Sequence, residues 1–448
     1  MKRQFFGTDG VRGEYGSALM NEDLAWRLGA GAACFAKTRP DFKATRVFIG
    51  RDTRASGVAL EKALAAGLLA EGLQPVSLGI VPTPAVSLLT RREGAALGVV
   101  ITASHNPAGD NGIKFFGANG IKLTDEEEAR LEMLMPAEAG VTPNQRPLQA
   151  EGLKHYIETT TALLPEKSLA GWKIVLDAAH GAAWRSSRTV LEKLGAELSL
   201  IGTEPDGTNI NAGVGSQHPE QMCARVKLTG ARLGIAHDGD ADRCMLCDEH
   251  GEVLDGDEML TILALHALKQ SKLAKNTLVV TVQSNLGLDA AVIAAGGRVV
   301  RTAVGDRYVI ERMRADGATL GGESSGHVIC ADVSPTGDGL VAALKVIEVM
   351  LATGKPLSEL RRGMKKFPQL SAGMTVKEKK PLDTLPTMTA TIAALETELG
   401  SRGRVLVRYS GTEPKLRLLV EGETDAQVKS CLDRLRAAAR ADLEVIKD

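Results

Sequence analysis

Gly98-Val-Val-Ile-Thr-Ala-Ser-His-Asn-Pro107 is an apolar run of strand type that stops abruptly at a serine, a histidine, an asparagine and a proline. Pro107 pushes Asn106 towards extended backbone, so the chain cannot continue as helix. Ser104 is therefore expected on a rigid turn at the end of a buried strand, where α/β proteins keep their reactive groups. An ordinary polar turn would use the same residues, and a motif this short does not separate the two.

Two further stretches do. Ile235-Ala-His-Asp-Gly-Asp-Ala-Asp-Arg243 places Asp238, Asp240 and Asp242 at alternate positions after another apolar run, and Gly321-Gly-Glu-Ser-Ser-Gly-His327 follows a third. Ser104 becomes a candidate nucleophile, the aspartates a candidate metal site, and Glu323, Ser325 and His327 a polar platform. Near the C-terminus, Arg408-Tyr-Ser-Gly-Thr-Glu-Pro-Lys-Leu-Arg417 joins two arginines to hydroxyls and a glycine. That is the composition of a phosphate cradle.

The length, 448 residues, suggests three or four domains. Hydrophobic residues make up 44% and charged residues 24%, as in a globular protein with sizeable cores. With 54 basic and 55 acidic residues the balance gives no nucleic-acid footprint. No apolar stretch reaches the roughly 18 residues needed to span a bilayer, so no membrane partner is expected. Met1-Lys-Arg-Gln-Phe-Phe6 runs straight into Gly7-Thr-Asp9, which leaves no signal-peptide core and points to the cytoplasm. The six cysteines are too scattered for a disulfide framework. Cys244 and Cys247 form a lone C-x-x-C on an expected strand, and core packing accounts for them better than metal or redox chemistry.

Three segments repeat a rhythm of strand, helix, strand and a further strand ending in a loop. The first has strands at 46–49, 75–78 and 97–102 and a helix from Ser56 to Glu71, with Ser56 expected to cap it. The second has strands at 173–177 and 198–201, a helix at 183–194, and Gly234-Ile-Ala leading to the aspartates. The third has strands at 278–282 and 298–301, a helix at 286–295, and Ala318-Thr-Leu leading to Glu323. Such alternation predicts α/β layers. From about Leu370 the order changes to strand (372–377), helix (387–399), two strands (403–409 and 416–421) and a last helix (425–441). Boundaries fall near 150, 253 and 368, with a hinge at 365–369.

Three other chemistries fail on the residues. Asp238, Asp240, Asp242 and Glu249 match EF-hand positions one, three, five and twelve, but Arg243 stands where that loop requires glycine. Gly322-Glu-Ser-Ser-Gly326 matches the hydrolase elbow, yet no distant histidine follows it and weak β-type residues stand where a helix is needed. Gly29-Ala-Gly31 sits inside a helical run with no strand before it, so it is no dinucleotide fingerprint, and no Walker-A sequence is present. Three carboxylates beside an arginine suit Mg²⁺, which takes a few carboxylates and a phosphate oxygen.

Together these motifs resemble the α-D-phosphohexomutase superfamily, and its hexosamine-acting branch in particular. Phe6-Gly-Thr-Asp-Gly-Val-Arg-Gly13, Asp110-Asn-Gly-Ile-Lys-Phe-Phe116 and Pro205-Asp-Gly-Thr-Asn-Ile-Asn211 carry the same resemblance. It covers essentially the whole chain, in the same motif order. Ala108-Gly109 departs from the bulkier residues common in relatives but leaves the serine motif intact. The resemblance implies three similar α/β domains with mixed sheets and a C-terminal α+β domain around a central cleft. These would be a phosphoserine-bearing domain (1–150), a magnesium-binding domain (151–253), a sugar-binding domain (254–368) and a phosphate-binding domain (369–448). It implies interconversion of glucosamine 6-phosphate and glucosamine 1-phosphate through phosphoserine at Ser104 and a bound glucosamine 1,6-bisphosphate. Ser104, Asp238, Asp240 and Asp242 would hold Mg²⁺. Arg12, His105, Lys114 and Arg243 would surround the transferring group, with Lys114 or His327 as general acid or base. Glu323 and Ser325 would bind sugar hydroxyls, and Arg408, Ser410, Gly411, Thr412 and Arg417 the other phosphate. Small amino-sugar phosphates are the expected partners, and the oligomeric state stays open, a homodimer among the options.

Overall fold

The computed structural model describes residues 3–7, 9–40, 42–141, 147–410 and 414–447. Its first sheet contains β1 (Val11–Glu14), β2 (Arg46–Arg51), β3 (Gln74–Ile80), β4 (Leu97–Ile101), β5 (Asp110–Gly117) and β6 (Leu148–Gln149), in the order β1-β5-β4-β2-β3-β6. β2 runs parallel to β3 and β4, while β5 returns antiparallel to β4 with Ile113 opposite Ile101. The serine turn is therefore a hairpin connection, tied to strands at both feet. In the inner strands nearly every residue is buried, as expected of parallel strands covered on both faces.

The next sheet repeats the device. β7 (Lys173–Asp177), β8 (Glu197–Ile201), β9 (Leu233–His237), β10 (Cys244–Cys247) and β11 (Val253–Leu254) are ordered β11-β10-β9-β7-β8. β9 and β10 pair antiparallel with His237 opposite Cys244, so the aspartates fill the turn between them. In the third sheet β12 (Thr277–Thr281), β13 (Arg298–Thr302), β14 (Leu320–Gly322) and β15 (Val328–Cys330) are ordered β13-β12-β14-β15. Gly322 lies opposite Val328, and the turn holding Glu323, Ser325 and His327 joins those strands. The last sheet, β16 (Gln369–Val376), β17 (Arg404–Tyr409), β18 (Lys415–Glu421) and β19 (Val445–Lys447), is antiparallel throughout. Its core includes Met388 and Leu395 from helix Pro386–Leu399 and Leu432 and Leu435 from helix Asp425–Asp442. Three mixed α/β layers and a C-terminal α+β layer are the class the sequence predicts.

The chain divides into two compact units, Met1–Gln283 with Ala295–Gly363, and Ser284–Ala294 with Met364–Asp448. The first three sheets thus share one body. Helix Leu286–Ala294, read from sequence as part of the third segment, groups with the C-terminal unit. Its leading residues explain this: Asn285 Nδ2 donates to Phe367 O at 3.0 Å, and Arg404 Nη2 donates to Ser284 O at 2.6 Å.

Gly29 lies within α1 (Glu22–Thr38), as its helical context predicts, and faces α2 (Gly57–Ala70). A Cβ on Gly29 would come within 2.2 Å of Leu64 O, and one on Gly67 within 2.0 Å of Trp26 O. The two glycines let the helix backbones touch. Ser56 precedes α2 but makes no side-chain cap; its hydroxyl accepts instead from Asn111 Nδ2 at 2.8 Å. A tertiary partner has outcompeted the local cap. Cys244 packs its sulfur 3.8 Å from Met259 Sδ, all six cysteines are free, and burial pushes the Cys244 and Cys247 thiols well up. Among the described residues no helix is long and apolar enough to cross a membrane.

Forcing a methyl group between α1 and α2 should strain two backbones that cannot give way. Gly67→Ala is expected to lower unfolding stability by about 2–3 kcal/mol or more, read as a drop in the urea midpoint. A midpoint equal to wild type would mean the helices separate freely at this crossing.

Candidate active site

Ser104 sits at the hairpin turn after β4 with positive φ (52°), a backbone conformation that costs a non-glycine residue on the order of 1–3 kcal/mol. It is 1% exposed, its amide donates to Thr102 Oγ1 at 2.9 Å, and its hydroxyl donates to Asp238 Oδ2 at 2.6 Å. That bond spans 134 residues of chain and joins two sheets. Ala241, within the aspartate turn, is also left-handed (φ 57°). Of the nine non-glycine residues with positive φ among the described residues, these two stand in the reactive turns, where such strain is often functional.

Asp238, Asp240 and Asp242 each offer a carboxylate oxygen, and these lie within 4.8 Å of one another. All three residues are buried. Burial, reinforced by Asp242 and Asp240, pushes the Asp238 carboxyl up to about 8. Burial also works against ionised Asp242, but Lys114, His327 and Arg243 outweigh it and hold that carboxyl well below the usual range. Asp240 Oδ1 and Asp242 Oδ1 are buried and accept no hydrogen bond among the described residues. Orphaned hard oxygens beside a serine hydroxyl fit an oxygen-seeking divalent cation. The residues present therefore suit the metal that the spacing suggests.

Cations close around this cluster. Lys114 on β5 is 1% exposed and reaches Asp240 Oδ2 at 3.0 Å and Asp9 Oδ2 at 3.1 Å. Burial opposes its charge, yet Asp240 and Asp9 outweigh that and raise its pKa. Arg12 pairs with Asp9. Arg243 Nη1 lies 3.3 Å from His105 Nδ1, and the backbone amide of Arg243 donates to Asp238 Oδ1 at 3.3 Å. Burial, then Arg243 and Arg12, pull the His105 pKa down to about 4, so this imidazole is neutral near pH 7. Arg12 Nε and Arg243 Nε are both buried without a hydrogen-bond partner among the described residues. Two arginines that both act on His105, itself 3.4 Å from Ser104 Oγ, suit an anion with several oxygens.

His327 stands across the cluster, with Nδ1 3.6 Å from Asp242 Oδ2 and Nε2 3.6 Å from Asp306 Oδ2. Gly337 lies so close to the imidazole that a Cβ there would fall 2.2 Å from Nε2. Glu323 accepts from the Gly305 amide at 3.0 Å and from Ser325 Oγ at 3.3 Å. The structure thus brings Ser104, Arg12, His105, Lys114, the three aspartates, Arg243, Glu323, Ser325 and His327 together in the first unit. Arg408 and Arg417 lie opposite each other on β17 and β18 in the C-terminal unit, where burial and Arg417 lower the Arg408 pKa. The Ser410 amide donates to Lys415 O at 2.8 Å, and Gly411 and Thr412 lie outside the described residues.

Sequence reading missed four members. Lys122 Nζ lies 2.5 Å from both Asp9 Oδ1 and Asp306 Oδ2, making one chain of charge from the first segment to the third. Thr83 donates its hydroxyl to Asp240 Oδ2 at 2.7 Å and its amide to Asp240 O at 3.0 Å, fixing the middle aspartate. Asp9 was visible inside Gly7-Thr-Asp-Gly10, while Lys122, Asp306 and Thr83 carry no local signal beyond their type.

The geometry defines a phosphoryl-handling α/β enzyme, and comparison with known proteins agrees. Successive parts of the chain match the signatures of phosphoglucomutase/phosphomannomutase: α/β/α domain I at 3–140, domain II at 154–251, domain III at 255–367 and the C-terminal domain at 374–438. The phosphoglucosamine mutase of Syntrophotalea carbinolica is 46% identical, covering 96% of this chain and 95% of its own length. That of Moorella thermoacetica is 47% identical over 97% and 99%. A phosphoglucomutase/phosphomannomutase family protein from Burkholderia thailandensis superposes with a TM-score of 0.81 at 24% identity, over 98% of both chains, and so shares the fold. The chain belongs to the phosphoglucomutase/phosphomannomutase family, the α-D-phosphohexomutases, which are isomerases. Within it, the chain falls in the phosphoglucosamine mutase branch.

Removing one carboxylate charge should weaken a hard-cation site directly. Calorimetric titration with Mg²⁺ is expected to show Asp240→Asn binding at least about tenfold more weakly, the lower end of what loss even of a supporting partner costs. Equal affinity in the two proteins would make the three aspartates a structural turn balanced by Lys114 and Arg243.

Proposed function

We propose that this chain interconverts glucosamine 6-phosphate and glucosamine 1-phosphate, the step that readies the amino sugar for UDP-N-acetylglucosamine synthesis. The observation carrying this reading is the Ser104 hydroxyl, which donates at 2.6 Å to Asp238 of a buried three-aspartate cluster that Lys114 and Arg243 also contact. Resting Ser104 carries a phosphoryl group. A hydroxyl oxygen of the sugar phosphate bonds to that phosphorus, the bond from phosphorus to Ser104 Oγ breaks, and a proton moves from the hydroxyl to Ser104 Oγ through His327, which gives up one proton as it takes the other. The resulting 1,6-bisphosphate turns over within the site. Ser104 Oγ then bonds to the other phosphorus, that phosphorus leaves its sugar oxygen, and the serine proton passes back through His327 to the released oxygen.

The remaining residues balance charge through both transfers. Lys114 stays protonated between Asp240 and Asp9 and, with Arg12, Arg243 and neutral His105, faces the phosphoryl oxygens. Such fixed cations are the main source of catalysis in phosphoryl transfer. Asp238, Asp240, Asp242 and the phosphoserine would hold Mg²⁺, which when bound supplies Lewis-acid stabilisation of phosphoryl charge. Glu323 and Ser325 bind sugar hydroxyls. Arg408, Ser410, Gly411, Thr412 and Arg417 hold the phosphate that is not transferred. Four domains, 1–150, 151–253, 254–368 and 369–448, divide these tasks as phosphoserine, metal, sugar and distal-phosphate carriers.

Ser104→Ala is expected to fold normally and to retain less than about a hundredth of wild-type kcat, the scale for losing a covalent step. Greater retention would sink Ser104 as carrier. Side-by-side kcat/KM values should favour glucosamine 6-phosphate over glucose and mannose phosphates, and a preference for either of the latter would reassign the substrate. Arg408→Ala should raise KM and let labelled 1,6-bisphosphate escape more often per turnover, because paired guanidinium donors are lost. Wild-type values for both KM and escape would reduce the motif to a structural turn.

A further inference from the structure

Behind Ser104 lies a polar assembly that the reaction just described does not use. Arg54 is fully buried, and all five of its guanidinium donors are engaged. Nε donates to Asp52 Oδ2 at 2.9 Å. Nη2 donates to the carbonyls of Ser104 at 3.1 Å and Asn106 at 2.8 Å, and Nη1 to those of Asp110 at 2.9 Å and Pro107. From the second segment, Asn211 Nδ2 donates to the same two carbonyls, Ser104 O at 2.9 Å and Asn106 O at 3.0 Å. The Ala55 amide donates to Gly207 O at 3.0 Å, so the loops carrying Arg54 and Asn211 are themselves tied together. Gly239, next to the aspartates, completes the enclosure: a Cβ there would lie 2.5 Å from Ser104 O.

We propose that Arg54 and Asn211 are positioning residues for phosphoryl transfer, gripping the Ser104 and Asn106 carbonyls from two sides and so fixing the left-handed serine. A carbonyl rotated towards Ser104 Oγ would present its lone pairs to the oxygens of a phosphoryl group. Held at the back, both carbonyls are kept out of that field. The double grip also ties one turn to two segments. Arg54 belongs to the first and Asn211 to the second, so the distance from Ser104 to Asp238 is set by both. This rests on the reading of Ser104 as phosphoryl carrier.

Asn211 allows a clean test, because glycine adopts its φ of 59° without strain while removing the side-chain donor. Asn211→Asp keeps the shape but has no N–H to offer. Both variants are compared with wild type for thermal stability, for kcat and KM on glucosamine 6-phosphate, and for single-turnover transfer of ³²P from glucose 1,6-bisphosphate to Ser104. Asn211→Gly is expected to melt close to wild type yet to lose kcat and label transfer roughly 10–100-fold, the scale for a misplaced reacting group. Its KM should stay within about twofold, since binding of the ground state is not what the grip controls. Asn211→Asp should lose at least as much. Arg54→Lys, with too few donors for the four carbonyls, should follow them; if it does not fold, the two Asn211 variants decide alone. Label transfer and kcat within about twofold of wild type, or a KM that rises in step with the fall in kcat, would overturn the proposal. A wild-type enzyme that takes no label at Ser104 overturns the carrier reading itself, and the two failures are told apart by which protein shows them.

Discussion

Three buried carboxylates share one small volume beside the Ser104 hydroxyl, and the surrounding structure is arranged to make that tolerable. Two like charges about 4 Å apart repel by on the order of 4 kcal/mol even at an effective dielectric of 20. The chain answers with Lys114, Arg243 and His327 close by, and with Lys122 one step further out between Asp9 and Asp306. It leaves Asp238 with a raised pKa and two aspartate oxygens that accept no hydrogen bond among the described residues. That residual imbalance is what a divalent cation would remove, so the charge pattern that burdens the bare fold is the one that makes a metal site.

The architecture serves the same end. In each of the first three sheets a parallel inner strand hands over to an antiparallel neighbour, and the reactive turn is the connection between them. A connection anchored at both feet by hydrogen-bonded strands can hold Ser104 and Ala241 in positive-φ conformations that a longer loop would relax. Sites on rigid elements keep their geometry better than sites on free loops.

Much of this was legible in the residue order. Ser104, the three aspartates, Glu323, Ser325 and His327 each sit directly after an apolar run, where burial of the strand and abrupt polarity betray the turn. Lys114 and Arg12 came through resemblance, since a lysine or arginine among apolar residues has no signature of its own. Lys122 and Asp306 stayed invisible because their meaning is purely tertiary: each looks like an ordinary surface charge until the other arrives. Ser56 shows the opposite failure. Its position matches a helix cap, but Asn111 claims the hydroxyl, and a local rule lost to a distant partner. Gly29 was set aside as a nucleotide motif for sound reasons, yet its real use, contact with the backbone of α2, needs a second helix to be seen.

The pairing of Lys122 with Asp306 spans 184 residues, which also sets an order of events while the chain is being made. At synthesis rates of about 5–20 residues per second, Lys122 is made on the order of 10–40 seconds before Asp306 exists. Until Asp242 is made, Lys122 has Asp9 to offset it, and Asp242 and His327 have yet to meet. The nascent first layer must therefore keep this corner hydrated. This charged corner of the enzyme is among the last parts to lose its water.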